Sequence, residues 1–465
     1  MKKELNLLSG DITPIIVKMS MPLMGTAFVQ MCYSLVDLMW LGRLSTGAVA
    51  AVGTCSFFVW IAQAITLVAK TGLSVGLSQS YGRQNSEEAK KVMVSGFWLN
   101  LFFCLLVTGI FLIFKKNIIG FYQLEPEVEK MTITYFTIVS IGLIFTYLNP
   151  MFATTFFSKG NSVTPFNISI IALIFNIIMD PILIFGWKKI PAFGIGGAAY
   201  ATVLAQALAT LLYLYIGKKS REIFWRVNYF KLPSKEYFMD ILYLGVPASL
   251  QSTVHAFVGI ILNRFIASFG AVAIAVYSIG SQIESISWMS ADGFATAFSA
   301  FFGQNYGARQ FDRLQRGRRS GMWIVSAVGI FAFVLLFLGS KFLFTLFIPH
   351  DPEAIELGVL YLQIVAPSQY FMAIEIGTTG MLNGLGLTKY PALNAVILNI
   401  IRIPLAPLLI SLWGVNGIWA AMSISSILKG IILNWIYYHL RRKTDGFKND
   451  MNRYVSGMRK LKMGN

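Results

Sequence analysis

The chain has 465 residues, of which 56% are apolar and only 13% charged, with a formal net charge of +17 and a mean hydropathy of +0.64. A soluble chain of that length would carry about a quarter charged residues, so a soluble enzyme and a nucleic-acid-binding domain are both excluded, and the positive charge reads as a membrane topology signal. Cys32, Cys55 and Cys104 are odd in number and lack CxxC spacing, which supports neither a disulfide framework nor a zinc site.

The N-terminal stretch MKKELNLLSGDITP is polar, and the apolar segment after it runs too long for a signal-peptide core and shows no small-residue cleavage site, so it is expected to stay attached. From there, apolar runs long enough at about 1.5 Å per residue to cross roughly 30 Å of hydrocarbon recur to the end of the chain. Twelve spans are predicted, near 15–41, 48–78, 93–115, 131–157, 163–187, 196–217, 238–268, 271–303, 320–346, 357–383, 391–412 and 415–439. An even count puts both termini on one side. Of the 38 Lys and Arg residues, 26 fall in the two tails and the even-numbered loops and 7 in the odd-numbered loops. Positive charge in short loops is retained inside the cell, so both termini are expected in the cytoplasm and the protein in the inner membrane. The clusters Lys218 to Lys235, Arg309 to Arg319 and Arg441 to Lys462 are expected to be solvated charge facing anionic lipid.

The chain also repeats itself. Gln79, Tyr81 and Gly82 fall on Gln304, Tyr306 and Gly307, and Pro22 falls on Pro247, at one offset. Asn176-Ile-Ile-Met-Asp-Pro181 resembles Asn399-Ile-Ile-Arg-Ile-Pro404, and Gly194-Ile-Gly-Gly197 resembles Gly414-Val-Asn-Gly417. The fold class is therefore an all-α polytopic membrane protein of twelve transmembrane helices in two six-helix bundles. Residues 1–225 form an N-lobe, and residues 226–465 a C-lobe with the basic tail. A repeat of six spans keeps its orientation, which implies a pseudo-two-fold axis along the membrane normal, a central cleft and alternating access. Nothing resembles a carbonyl-lined channel filter.

A charge in hydrocarbon costs at least ~2.5–3.5 kcal/mol on insertion scales. Five acids lie deep in the spans: Asp37, Asp180, Glu284, Asp292 and Glu375. Asp180 follows Asn176 by four residues, so both share a helical face, and Pro181 takes the usual donor from the carbonyl of Ile177. Two carboxylates, an amide oxygen and a stray carbonyl suit a hard cation. They suit a proton equally, because carboxylates held close together are hard to ionise together. In the second half Asp37 falls on Leu262, Asp180 on Ile403 and Met179 on Arg402, so a coupling site belongs to the N-lobe alone. His255, Glu284, Asp292, Glu375 and Arg402 form a separate C-lobe polar set, which either pairs internally, Arg402 with Glu375 for instance, or touches substrate. The 37 Phe, 19 Met and 10 Trp residues mostly face lipid or helix interfaces, with some free to line an adaptable cavity.

Over nearly its whole length the chain resembles the multidrug and toxic compound extrusion (MATE) transporters. The likeness rests on the two six-span repeats, Met21-Pro22 entering the first span, Asp37 followed by Gly42 and Gly47-Ala-Val-Ala-Ala-Val-Gly53, and Gln79-Ser-Tyr-Gly82 with its echo. It implies a V-shaped pair of bundles exporting small organic cations such as drugs and dyes in exchange for Na⁺ or H⁺. The sequence looks closest to the DNA-damage-inducible-type branch, whose N-lobe cation site corresponds here to Asp37, Asn176, Asp180 and Thr202, with Tyr135 and Asn149 in the surrounding network. Thr202 enters through the resemblance only. A second branch relies on C-lobe acids, but here its seventh-span position is His255 and Glu375 is off its register.

The expected mechanism is secondary antiport: an outside cation neutralises Asp37 and Asp180, shifts the first span and releases substrate, and the loaded protein then turns inward. No cofactor is expected beyond the coupling ion, which the sequence leaves as Na⁺ or H⁺. Membrane lipid is the expected partner, nucleic acid is not, and a monomer is expected. The alternative is a lipid-linked oligosaccharide flippase of the wider superfamily, whose cleft would call for several Arg and Lys. A membrane enzyme would need a recognisable catalytic set such as HExxH, and neither that nor a P-loop occurs.

Overall fold

In a computed structural model of the protein, residues 4–349 and 351–448 are described; the part of the basic tail from 449 to 462 lies outside them. The described residues form thirteen α-helices: α1 (Ile12–Leu44), α2 (Thr46–Gly82), α3 (Ser86–Gly120), α4 (Pro126–Ser158), α5 (Val163–Phe185), α6 (Ile195–Ser220), α7 (Lys235–Ala267), α8 (Ala271–Gly307), α9 (Phe311–Leu338), α10 (Ser340–Phe347), α11 (Pro352–Gly384), α12 (Lys389–Trp413) and α13 (Val415–Lys443). A 3₁₀ turn, Ile223–Trp225, follows α6.

Many helices outrun the apolar stretches that predict them, because hydropathy marks the hydrocarbon and the helix continues into water. α3 begins at Ser86, where the Asn85 side chain accepts from the Glu88 amide at 3.0 Å and Glu87 and Glu88 sit in the first turn, a capped, dipole-matched start. α11 likewise begins on Asp351, which accepts from the Ala354 amide at 3.1 Å, with Pro352 at the first helical position. The ninth predicted span, 320–346, is not one helix: it breaks at Gly339 into α9 and α10. The Leu335 carbonyl lies 2.5 Å from where a Cβ on Gly339 would stand, so the chain can turn that tightly only at glycine.

By length and composition eleven of the helices can cross a membrane. α8, with 37 residues, is long enough, but Glu284, Asp292 and the serines at 278, 281, 285, 287 and 290 dilute its apolar middle. Ile113 and Leu338, on α3 and α9, are 74% and 77% exposed, an arrangement that water would penalise and lipid does not. The chain is a multi-pass membrane protein.

Two compact units emerge. The first comprises Glu4, Gly25–Tyr81 and Asn85–Gly245. In it α6 packs on α4 and α5, and α3 on α4, around Phe58, whose ring lies 5.6 Å from Phe136 and 6.1 Å from Phe111. The stretch after α6 is fastened to this unit: Glu222 is wholly buried with Oε2 3.0 Å from Lys159 Nζ, and Trp98 Nε1 donates to the Tyr229 carbonyl at 3.0 Å. Burial pushes the Glu222 carboxyl above the usual carboxylate range, and Lys159 opposes the shift.

The second unit comprises Leu5–Met24, Gly82–Gln84 and, among the described residues, 246–349 and 351–448. Here α11 is the central helix, packed on α8, α9 and α13, with fully buried Trp419 and Tyr361 edge to face at 5.0 Å. Two members of the Arg309 to Arg319 cluster, expected to be solvated, are buried instead. Arg313 donates to the carbonyls of Leu7, Ser9 and Gly10 at 3.3, 3.1 and 2.8 Å. Arg318 donates to Thr378 Oγ1 at 2.9 Å and to Asn434, and stands 4.2 Å over the Tyr437 ring. Planar guanidinium groups reach carbonyls and rings that a topology count does not register.

The repeat is visible in backbone detail. Gly194 and Gly414, before α6 and α13, have φ of +56° and +59°, a region that disfavours side chains. Three residues on, a Cβ at Gly197 would stand 2.2 Å from the Leu183 carbonyl oxygen, and one at Gly417 2.2 Å from that of Leu409. Glycine at these two positions sets the close approach of α5 to α6 and of α12 to α13. Gly197→Ala and Gly417→Ala should each cost about 1–3 kcal/mol through overpacking. Gly196→Ala, whose Cβ meets nothing nearer than 3.6 Å, should leave thermal unfolding in detergent nearly unchanged; equal melting shifts in all three would refute the close-approach account.

Candidate cation site

Within the first unit, α1, α5 and α6 bring together the four residues singled out from the sequence. Asn176 and Asp180 share a face of α5, both are fully buried, and Asn176 Nδ2 donates to Asp180 Oδ1 at 3.1 Å. Asp37 of α1 lies within hydrogen-bonding reach of Asp180 and of Asn176. The Thr202 hydroxyl of α6 stands 3.2 Å from Asp37 Oδ2 and 3.0 Å from the Ala198 carbonyl, and with one proton it donates to one of them at a time.

Three acceptors in this cluster have no donor: Asp37 Oδ1, Asp180 Oδ2 and Asn176 Oδ1 are all buried and unpartnered. An unsatisfied buried acceptor costs about 1–3 kcal/mol, more when charged, so a group of them is tolerable where positive charge arrives. The described residues hold no group of three or more His, Cys, Asp or Glu suited to a metal. What the cluster offers is two carboxylates with an amide and a hydroxyl oxygen, the hard donor set of an alkali cation or a shared proton.

Tyr135 of α4 is buried within electrostatic reach of both aspartates. Asn149 belongs to a different network: it donates to Gln206 Oε1 at 2.8 Å and accepts from Thr210 at 2.7 Å. Sequence reasoning missed Tyr33, whose hydroxyl is buried and unpartnered, close to Asp37 and Asp180. Its four-residue spacing to Asp37, identical to that of Asn176 and Asp180, was the available signal.

The C-lobe polar set divides. Glu284 of α8 accepts from the Tyr361 hydroxyl and from Gln369 Nε2, the latter at 3.2 Å. Glu375 of α11 pairs with Lys429 of α13 at 3.3 Å, not with Arg402. Arg402 of α12 donates through Nε to Ser425 Oγ at 3.0 Å and through one terminal nitrogen to Ser426 Oγ at 2.9 Å. His255 and Asp292 are exposed, His255 within electrostatic reach of Arg402 and Lys429. Lys429 lies inside the predicted span 415–439; its partner lies two helices earlier, and no local spacing connects them.

The sequence profile of the MatE family matches residues 22–182 and again 247–408, so the two matches begin at the prolines that define the repeat. The chain is 26% identical to the probable multidrug resistance protein NorM of Thermotoga maritima, over 91% of each chain. It is 30% identical to the probable multidrug resistance protein YoeA of Bacillus subtilis, over 70% of this chain and 72% of that one. Among solved structures it superposes on the Vibrio cholerae MATE transporter VcmN with a TM-score of 0.87 at 18% identity, covering 94% of this chain and 98% of that one.

The Glu375–Lys429 pair is buried on both sides, at 6% and 9% side-chain exposure. Removing either partner strands a buried charge at a cost of ~3–5 kcal/mol, whereas an apolar pair of similar volume is nearly neutral. Thermal unfolding of Glu375→Gln, Lys429→Met and the double variant Glu375→Leu/Lys429→Met should therefore rank the double above both singles. Additive losses would show that the two side chains do not act as a pair.

Proposed function

The chain belongs to the MatE family, and on that footing we propose that it is a membrane transporter, not an enzyme, that exports organic cations by multidrug efflux in exchange for Na⁺ or H⁺. The observation that carries the coupling is the trio of donorless oxygens on Asp37, Asn176 and Asp180. The reading includes twelve spans in two related bundles, both termini in the cytoplasm, and the branch with its cation site in the N-lobe. It is supported by the names of the curated relatives and by the repeat, which places no second pair of acids at Leu262 and Ile403.

Coupling needs only that ion and substrate favour different conformations or compete for the same carboxylates. Asp37 is held to α6 through Thr202 and faces α5 through Asp180, so a cation shared between the aspartates pulls α1 toward the α5–α6 pair, and its departure leaves repelling carboxylates that free α1. Inward ion movement adds ~2.3 kcal/mol per charge per 100 mV. The buried acids of this unit, and the absence of buried Lys or Arg beside them among the described residues, favour this reading over flipping of a pyrophosphate lipid.

Ethidium efflux from proteoliposomes under an imposed Na⁺ or pH gradient tests the proposal. Asp37→Asn and Asp180→Asn should each slow gradient-driven efflux at least about tenfold, equivalent to ~1.4 kcal/mol, and Thr202→Ala, which removes a neutral ligand, should slow it less. Stepping external Na⁺ at fixed pH identifies the ion: a response names Na⁺, and a response to pH alone names H⁺. Wild-type rates in the Asp37→Asn variant would refute the coupling role.

A further inference from the structure

Arg402 meets no opposite charge at ion-pair distance among the described residues. It stands in the interior of α12 and is 6% exposed, and its two engaged nitrogens donate to serine hydroxyls that bear no charge. The acids nearest in electrostatic terms are Glu375 and Glu284. Both are engaged elsewhere: Glu375 by Lys429, and Glu284 by Tyr361 and Gln369 through its two oxygens. The second terminal nitrogen of Arg402 has no hydrogen-bond partner among the described residues.

The serines are poised differently. Ser425 passes its proton to the Leu398 carbonyl at 2.7 Å and is saturated. Ser426 accepts from Arg402, keeps its own proton for a further acceptor, and is partly exposed. A free guanidinium N–H edge beside a free hydroxyl donor is the donor pattern that matches a carboxylate. Glu284, partly exposed on α8 and within electrostatic reach, balances the charge when the same ligand also carries a cationic group. A simple anion would leave the cluster with net negative charge in a medium of low dielectric.

We propose that Arg402 and Ser426 form a subsite for the carboxylate of zwitterionic substrates, so that the second unit selects for an acidic group on a molecule that is otherwise an organic cation. The subsite rests on the efflux reading above and narrows its substrate class. Unit one has no equivalent: the repeat puts Met179 at the matching position.

Rhodamine B and its ethyl ester share one cationic dye frame and differ in the free carboxylate. Fluorescence anisotropy with the purified full chain in nanodiscs gives the ratio of their affinities. In the wild type the acid should bind at least about tenfold tighter than the ester, the scale of one charge-assisted hydrogen bond. Arg402→Gln should bring that ratio to about one. Arg402→Lys, which restores charge without the planar fork, should give an intermediate ratio. A wild-type ratio of one or less overturns the subsite without reference to any variant, as does a ratio that Arg402→Gln leaves intact. Binding of neither dye would overturn the efflux reading and the subsite together, whereas ester binding without acid preference overturns the subsite alone.

Discussion

Two carboxylates held against each other in a medium of low dielectric constrain everything else in the first unit. Asp37 and Asp180 are brought within hydrogen-bonding reach by three helices, and among the described residues neither finds a fixed cation there: the groups around them, Asn176, Thr202, Tyr33 and Tyr135, are neutral. The Coulomb energy of two bare charges at such range is several kcal/mol at any effective dielectric appropriate to a protein interior. On the proposed reading a mobile positive charge offsets this repulsion, and its occupancy decides how tightly α1 is held to α5 and α6.

The second unit solves the same problem with resident charge. Its interior acid on α11, Glu375, is matched by Lys429 of α13, and Glu284 is met by a phenol and an amide. A lysine attached to the chain cannot leave, so this unit has no use for an exchangeable ion at Glu375. The repeat therefore carries one backbone plan with two electrostatic solutions. The glycine turns at Gly194 and Gly414 and the helix approaches at Gly197 and Gly417 match almost atom for atom, while the side chains at the centre differ in type and sign. Duplication fixes the helix approaches because a Cβ there collides with backbone; a central side chain meets only other side chains and is free to change.

That distinction also explains what the sequence made legible. Spans, repeat and the Asn176–Asp180 face all follow from periodicity, because apolar runs and i,i+4 spacing are local properties of the chain. The partner of Glu375 was not legible, since Arg402 and Lys429 are equally basic and equally interior to their spans; which one reaches it depends on the packing of α11 on α13. The burial of Arg313 and Arg318 was hidden for a related reason. A loop arginine counts as topology charge until the carbonyls of Leu7, Ser9 and Gly10, or the ring of Tyr437, come within its reach. The break at Gly339 shows the reverse case, where hydropathy runs on without interruption and only backbone crowding stops the helix.

Under the proposed function, the contrast in charge gives separate work to the two units. An exchangeable ion is attracted to the place where acids outnumber bases, and in the described interior that place is the Asp37–Asp180 cluster. A substrate carrying both signs of charge meets its complement where both signs are fixed, around Glu284 and Arg402. Were Lys429 absent, Glu375 would compete with Asp180 for the same ions and the stoichiometry of coupling would be blurred. By neutralising Glu375 internally, Lys429 would, under the proposed coupling, confine exchangeable positive charge to one unit and leave the guanidinium of the other for the proposed recognition.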